Sequence, residues 1–406
     1  MRNKHYPWIV VALLWGVALL NYMDRQMLAT MRPAMQTDIP ELQSGVSFGY
    51  LMGIFLWVYG FMSPVAGVIA DRVNRKWLIT ASLLIWSAVT FAMGFAANFR
   101  ELYWLRAIMG ISEALYIPAG LSLIADYHPN RTRSLAIGIH MTGLYLGQAI
   151  GGFGAGVAAS VSWQTAFQLF GGIGIAYSLV LTIFLREKRT ESANPETPTD
   201  AGPGRTPTTP AASPTDWLRV LVILLVFAIA SLPGWSTKNW LPTMFAQHLH
   251  LPMTQAGPLS TITLAAASFA GVLLGGWLSD RWVQRTIRGR VYTSAIGLAA
   301  MIPSLLLLGF SHQLAFVLAA AILFGAGYGI FDANNMPILC QFVSPRHRAT
   351  AYGFINMTGV FSGALITQLL GHSSDTGQWG LVFGLLSFGI AIALATQLYF
   401  LRPQKN

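Results

Sequence analysis

The chain has 406 residues, of which 54% are hydrophobic and only 10% charged, and its mean hydropathy is +0.53. Soluble domains carry about 25% charged residues, so the composition excludes an ordinary soluble enzyme and points to a chain that crosses a bilayer many times. The net charge of +10 would suit nucleic acid or anionic lipid, but a loading of basic residues onto one side of a membrane explains it without either.

Apolar stretches of about 20 residues or more recur twelve times, near 8–35, 47–70, 77–97, 101–125, 132–158, 163–185, 217–246, 254–280, 291–310, 313–341, 347–372 and 377–401. The first resembles a signal peptide at its start, with Arg2 and Lys4 before an apolar run. No small-residue cleavage site closes that run, so it reads as an uncleaved helix. Glycines lie within the stretches, as at Gly147, Gly151, Gly152, Gly154 and Gly156, where small residues let helices pack closely.

Between the stretches, 20 of the 25 Lys and Arg fall in alternate loops and the termini, while the opposite loops hold only Arg32 and Arg100. By the positive-inside rule both termini are cytoplasmic and the number of spans is even. Residues 186–216 are rich in Pro, Thr, Ala, Glu and Gly, a composition that builds no packed core and predicts a disordered cytoplasmic linker. It divides the chain into an N-terminal six-helix unit, 1–185, and a C-terminal one, 217–406. An all-α protein of twelve membrane helices in two pseudo-symmetric bundles is expected.

Three acids lie inside spans: Asp24, Glu113 and Asp332. The embedded cations are Arg25, Arg106 and Lys238. A charge at the centre of a lipid-embedded helix costs about 3 kcal/mol or more, so these groups should face partners or a water-filled cavity. Arg106 and Glu113 are seven residues apart, two helical turns, and point to nearly one face. Desolvation favours the protonated form of a carboxyl, so such a group holds a proton when occluded and releases it when wet. Arg106 is expected to oppose that effect at Glu113 until a substrate carboxylate occupies the guanidinium, which grips carboxylates in a bidentate fork. Lys238, among Trp235, Ser236, Asn239 and Trp240, offers a second cation. Polar groups on other spans that are candidates for substrate hydroxyls are His140, Tyr145, Gln148, Asn334, Asn335, Asn356 and Gln368.

The halves repeat each other. Gly67-Val-Ile-Ala-Asp71-Arg72-Val-Asn-Arg75-Lys76 follows the second span, and Gly276-Trp-Leu-Ser-Asp280-Arg281 follows the eighth. Glu113 lies five residues before Pro118, and Asp332 five before Pro337. Pro129 precedes Met141-Thr142-Gly143 by twelve residues, and Pro345 precedes Met357-Thr358-Gly359 by twelve. Two related bundles around a midplane site is a transporter architecture.

The Gly-x-x-x-Asp-Arg-x-x-Arg-Lys loop, its weaker second copy and the six-plus-six layout resemble the major facilitator superfamily. Within it, Asn21-Tyr22-Met23-Asp24-Arg25 and Gly110-Ile-Ser-Glu113-Ala are similar to the anion:cation symporters, which move sugar acids with protons, and to the spinster-like lysolipid carriers. The resemblance implies that spans one, four, seven and ten line the cavity. It implies that Asp24 and Glu113 couple to protons, and that Asp71, Arg72, Arg75 and Lys76, with Asp280 and Arg281, latch the outward-open state. The expected activity is proton-driven transport of a small organic anion, a sugar acid first and a lysolipid as the alternative, across an inner or plasma membrane. Arg25, Arg106, Lys238, Tyr145, Gln148 and Asn335 are the expected substrate contacts. A monomer without cofactor, metal or nucleic-acid partner is expected: no Gly-x-x-x-x-Gly-Lys-Ser/Thr loop and no His-Glu-x-x-His motif occurs, and the lone Cys340 reads as apolar filler and excludes an internal disulfide.

Overall fold

The computed structural model describes residues 5–128, 130–187, 217–343 and 348–402. Those residues are helical, with no strand among them: α1 (Tyr6–Met35), α2 (Gly45–Arg72), α3 (Arg75–Met93), α4 (Phe99–Ala114), α5 (Tyr116–Tyr127), α6 (Asn130–Gly151), α7 (Gly154–Ser160), α8 (Trp163–Phe184), α9 (Trp217–His248), α10 (Met253–Val283), α11 (Gly289–Phe310), α12 (Leu314–Leu339), α13 (Arg348–Thr376) and α14 (Trp379–Phe400). Among the described residues eleven segments are long and apolar enough to cross a membrane, α4 and α5 counting as one. The expected fifth span is the exception. It is helical, but α6 carries His140, Tyr145 and Gln148 and stops at Gly151, and α7 resumes at Gly154.

Local chemistry sets the helix ends. Ser44, Asn74, Asn98 and Ser162 cap α2, α3, α4 and α8 by accepting the amide of the residue three positions on, as N-cap side chains do. Glu101 completes the α4 cap by accepting from the Ala97 amide at 2.8 Å and from Asn98 Nδ2 at 2.7 Å. The break between α4 and α5 falls at Leu115. Pro118 explains it: proline donates no hydrogen bond to the carbonyl four residues back, here Ala114, and its ring crowds that carbonyl.

Within the first half α1 packs on α6 and α3 on α8, and within the second α10 on α12 and α11 on α14, while α2 packs chiefly on α13 and so joins the two halves. The α1–α6 approach depends on glycine. A Cβ at Gly151 would lie 2.6 Å from Gln26 Cβ and 2.8 Å from the Met23 carbonyl, and one at Gly147 would collide with the Leu19 carbonyl.

Tyr6 donates to the Phe184 carbonyl at 2.7 Å and Arg288 to the Leu398 carbonyl at 2.7 Å, which gathers the outer ends of each half. The contact of Gly45 with Asp375 aligns the halves, so Tyr6 and Phe400 share one end of the molecule. Arg186 and Glu187, at the start of the expected linker, are held there: Tyr127 donates to the Arg186 carbonyl at 2.9 Å, and Glu187 accepts from the Lys76 amide at 2.8 Å. The rest of that linker, 188–216, lies outside the described residues, as do Arg2, Lys4, Pro129 and Pro345. Cys340 is partly exposed where α12 ends rather than buried.

Candidate functional site

Glu113 sits on the last turn of α4, just before the proline-induced break, and is fully buried. Its Oε2 accepts from Arg25 Nε at 2.6 Å and from Asn21 Nδ2 at 2.9 Å. Asn21 and Arg25 are one turn apart on α1, so one helix face supplies both donors. The Arg25 guanidinium is bounded by three rings, Tyr22 at 5.2 Å, Phe55 at 4.7 Å and Tyr59 at 4.9 Å. Phe55 and Tyr59 are likewise one turn apart, on α2. Stacking of this kind is worth about 0.5–2 kcal/mol per contact. Arg25 Nη2 and Glu113 Oε1 are buried without a partner.

Arg106 is not the partner that its spacing from Glu113 predicts. Its guanidinium lies 4.6 Å from the centroid of the same Phe55 ring, and Nη1 meets Met109 Sδ at 3.1 Å. One aromatic ring thus serves two guanidiniums, and Arg25 takes the carboxylate. Asp24 diverges as well. Adjacent helical residues point about 100° apart, and while Arg25 faces α4, Asp24 turns toward α3 and accepts from Thr90 Oγ1 at 3.4 Å. Its Oδ1 is buried without a partner.

The second half contributes a facing set. Lys238 on α9 holds its ammonium 5.2 Å from the Trp235 ring and 5.5 Å from the Tyr328 ring, and its carbonyl accepts from Gln26 Nε2 at 3.1 Å. Asp332 on α12 is exposed and accepts from Asn335 Nδ2 at 3.2 Å. It lies within electrostatic reach of Lys238, of Tyr328 and of Tyr145 on α6. The phenols of Tyr22 on α1, Tyr145 on α6 and Tyr328 on α12 interact with one another, and the charges of Lys238 on α9 and Asp332 on α12 join them between the halves.

A family model described as the Major Facilitator Superfamily matches residues 14–367 and, again, 223–406. The chain belongs to this superfamily. Among its curated relatives, a D-galactonate transporter of Escherichia coli O6:H1 is 25% identical over 90% of this chain and 88% of its own length. The hexuronate transporter of Bacillus subtilis is 24% identical over 97% and 94%. Protein spinster homolog 1 of Bos taurus is 26% identical over 90% and 73%. Among solved structures, a bacterial homologue of the human lysosomal transporter Spinster, in an inward-facing and occupied conformation, superposes with a TM-score of 0.77 at 21% identity, over 98% and 97% of the two chains. The fold is that of the superfamily.

On this superfamily scaffold the other expected residues fall in three places. Tyr145 meets Phe269 of the second half, ring centroids 5.8 Å apart, beside the convergence region. Gln148 is buried further along α6, and His140 is buried within the first half, 6.0 Å from Tyr116, with neither ring nitrogen partnered. Gln368 packs where a Cβ on Gly53 would be, in the α2–α13 contact rather than in the site. In the latch loop, Arg75 pairs with Asp126 at the end of α5 and donates to the Ala70 carbonyl at 3.4 Å. Lys76 Nζ covers Trp77 at 4.9 Å, and Arg72, Asp280 and Arg281 are exposed. The side chain of Asp71 lies outside the described residues.

Asp375 carries no motif in the sequence. The structure makes it a tie between halves: it accepts from the Gly45 amide, from the Val46 amide at 3.3 Å and from Ser44 Oγ at 3.3 Å, and Arg32 Nη2 lies 3.8 Å away. Arg32 Nη1 also donates to Ser374 Oγ at 2.9 Å. This clasp lies at the end opposite the termini. Its only sequence signal is an acid at the end of an apolar stretch.

Proposed function

We propose that this protein is a proton-coupled secondary transporter of a small organic anion, with a sugar acid such as an aldonate or hexuronate as substrate. The observation that carries the reading is the Arg25–Glu113 pair. It is nearly dry, with side-chain exposures of 14% and 0%, and each partner keeps one polar atom unused. A substrate carboxylate offers the guanidinium a better-matched partner than Glu113, because two oxygens can engage the fork at once. Glu113 then loses its counter-charge in a water-poor site, where a carboxylate takes up a proton. Substrate and proton are thereby bound together. Lys238 adds positive charge from the second half, so an anion draws the two halves toward each other. The named relatives that carry galactonate and hexuronate support an anionic substrate.

In this reading Asp24 is a second proton-linked carboxyl, set behind the site against α3. No cofactor takes part; the proton gradient drives the cycle. The units 1–185 and 217–406 rock about the site as a monomer in an inner or plasma membrane, with the termini and 186–216 cytoplasmic. The clasp at Asp375 then closes the outer side.

The test is uptake by proteoliposomes holding the purified protein, with an imposed pH gradient, of radiolabelled galactonate, glucuronate, galactose and a lysolipid. Gradient-driven accumulation of an acid sugar and not of galactose is expected. Transport of the lysolipid alone overturns the anion reading in favour of a lipid carrier.

A further inference from the structure

We infer that Asp332 is a specificity-determining residue that accepts hydrogen bonds from the hydroxyls of a polyhydroxylated anion, whose carboxylate lies toward Arg25 and Lys238. The inference rests on the organic-anion reading above and adds the requirement for hydroxyls and the orientation of the substrate.

Its position comes first. Asp332 occupies in the second half the place that Glu113 occupies in the first, five residues before a helix-distorting proline, Pro337 and Pro118 respectively. Glu113 is fully buried and tied to Arg25. Asp332 is exposed, bonds to Asn335, and lies within electrostatic reach of Tyr145 on α6, Lys238 on α9 and Tyr328 on α12. A side chain exposed in the middle of an apolar helix, with residues of both halves in electrostatic reach, opens onto the space between the halves.

Its chemistry follows. An ionised carboxylate offers about four acceptor sites and no donor, and Asn335 uses one of them at Oδ1. An acid beside an anion-binding site opposes the substrate's own carboxylate and excludes it from that corner. What it favours there is a donor without charge, and a sugar acid carries such donors along its chain. Tyr328 lies one turn before Asp332, on the same face of α12, and its ring also covers Lys238. Tyr328, Asp332 and Asn335 form a polar strip leading away from the ammonium. A substrate with its carboxylate toward the cations lays its hydroxyls along this strip, and a carboxylate lacking hydroxyls finds no use for it.

The experiment measures binding of galactonate and of hexanoate, the same chain length without hydroxyls, to the purified full-length protein at neutral pH. A hydrogen bond to a charged group corresponds to about a tenfold or greater change in affinity. Asp332→Ala is expected to weaken galactonate about tenfold or more and to leave hexanoate within about twofold, and Asp332→Asn, which keeps one acceptor oxygen, to fall between. If the alanine variant does not fold, the asparagine variant carries the comparison; if hexanoate is too weak to measure, galactonate is compared with its 2-deoxy and 3-deoxy forms, and an equal loss for all three overturns the assignment. A parallel change for both ligands, as a purely structural Asp332–Lys238 brace would give, overturns the assignment, and so does unchanged galactonate affinity. Absence of binding of both galactonate and glucuronate in the wild-type protein overturns the anion reading itself, a result distinct from a failure of Asp332 alone.

Discussion

Arg25 and Glu113 meet through one short contact, Nε to Oε2 at 2.6 Å, which joins the middle of the first span to the proline-broken fourth. The guanidinium keeps its Nη2 and the carboxylate its Oε1 without a partner. A pair that is buried but incompletely used is poised for exchange with a third group.

Glu113→Gln mimics the protonated acid. It should abolish pH-driven accumulation of substrate while exchange of external for internal substrate continues. The measurement is proteoliposome uptake, run once with an imposed pH gradient and once with internal substrate. Because Arg25 then loses its charged partner, stability should fall by about 3 kcal/mol. Continued accumulation against a gradient would remove Glu113 from coupling.

The two arginines should behave differently. Arg25→Lys keeps charge but loses the planar fork, and is expected to weaken substrate about tenfold or more. Arg106→Lys should cost less than threefold in affinity, because the Arg106 guanidinium lies against Phe55 and Met109 rather than Glu113, and should show instead as a lower unfolding temperature. Titration of both variants with galactonate checks this; equal losses would restore Arg106 to the substrate.

Asp375→Ala should loosen the end opposite the termini. A side-chain cap at a helix N-terminus is worth about 0.5–2 kcal/mol, so the closed population should fall several-fold relative to the open one. Spin labels at Glu41→Cys and Gln378→Cys, in a Cys340→Ser background, should report a second, longer distance in the variant. An unchanged distance distribution would show that Asp375 does not hold this end shut.

Asp38, in the connection after α1, accepts from Trp163 Nε1 and Gln164 Nε2, each at 2.7 Å. The Trp163 bond, then the Gln164 bond, holds its carboxyl below the usual carboxylate range. A folded value below the unfolded one gives stability that is present above about pH 4 and lost as pH falls through the folded value. Asp38→Asn should therefore lower the unfolding temperature at pH 6, and the gap from wild type should close at lower pH. A gap that is constant from pH 6 to pH 3 would show that the charge is not involved.

Depth along each helix was legible in the sequence, and direction around it was not. Counting residues from the ends of spans one and four puts Asp24 and Glu113 at similar depth, and Arg25, next to Asp24 in the chain, meets Glu113. Which arginine reached the acid depended on helix rotation and on Phe55 and Tyr59, which look like any aromatics in an apolar span. The break after Ala114 was readable from Pro118. The break at Gly152 was not, because glycine is abundant throughout the chain and serves close packing as often as it serves bends. Asp375 was out of reach for another reason: its partners are mainly backbone amides 330 residues away in the chain, and an amide leaves no mark in an amino-acid sequence.

That last feature bears on how the protein tolerates substitution. The Asp375 clasp grips the first turn of α2 mainly through main-chain groups, so the identities of Val46 and Ser47 are nearly irrelevant to it. Gly45 and Gly371 are the opposite, since a Cβ on either would strike the other's carbonyl oxygen. A saturation scan of this end should show two rigid glycines, 45 and 371, and sensitive side chains at Asp375 and its partners Arg32 and Ser44, with Val46 and Ser47 permissive between them. A variant library filtered on side-chain contacts alone would miss the two main-chain bonds that hold this end together.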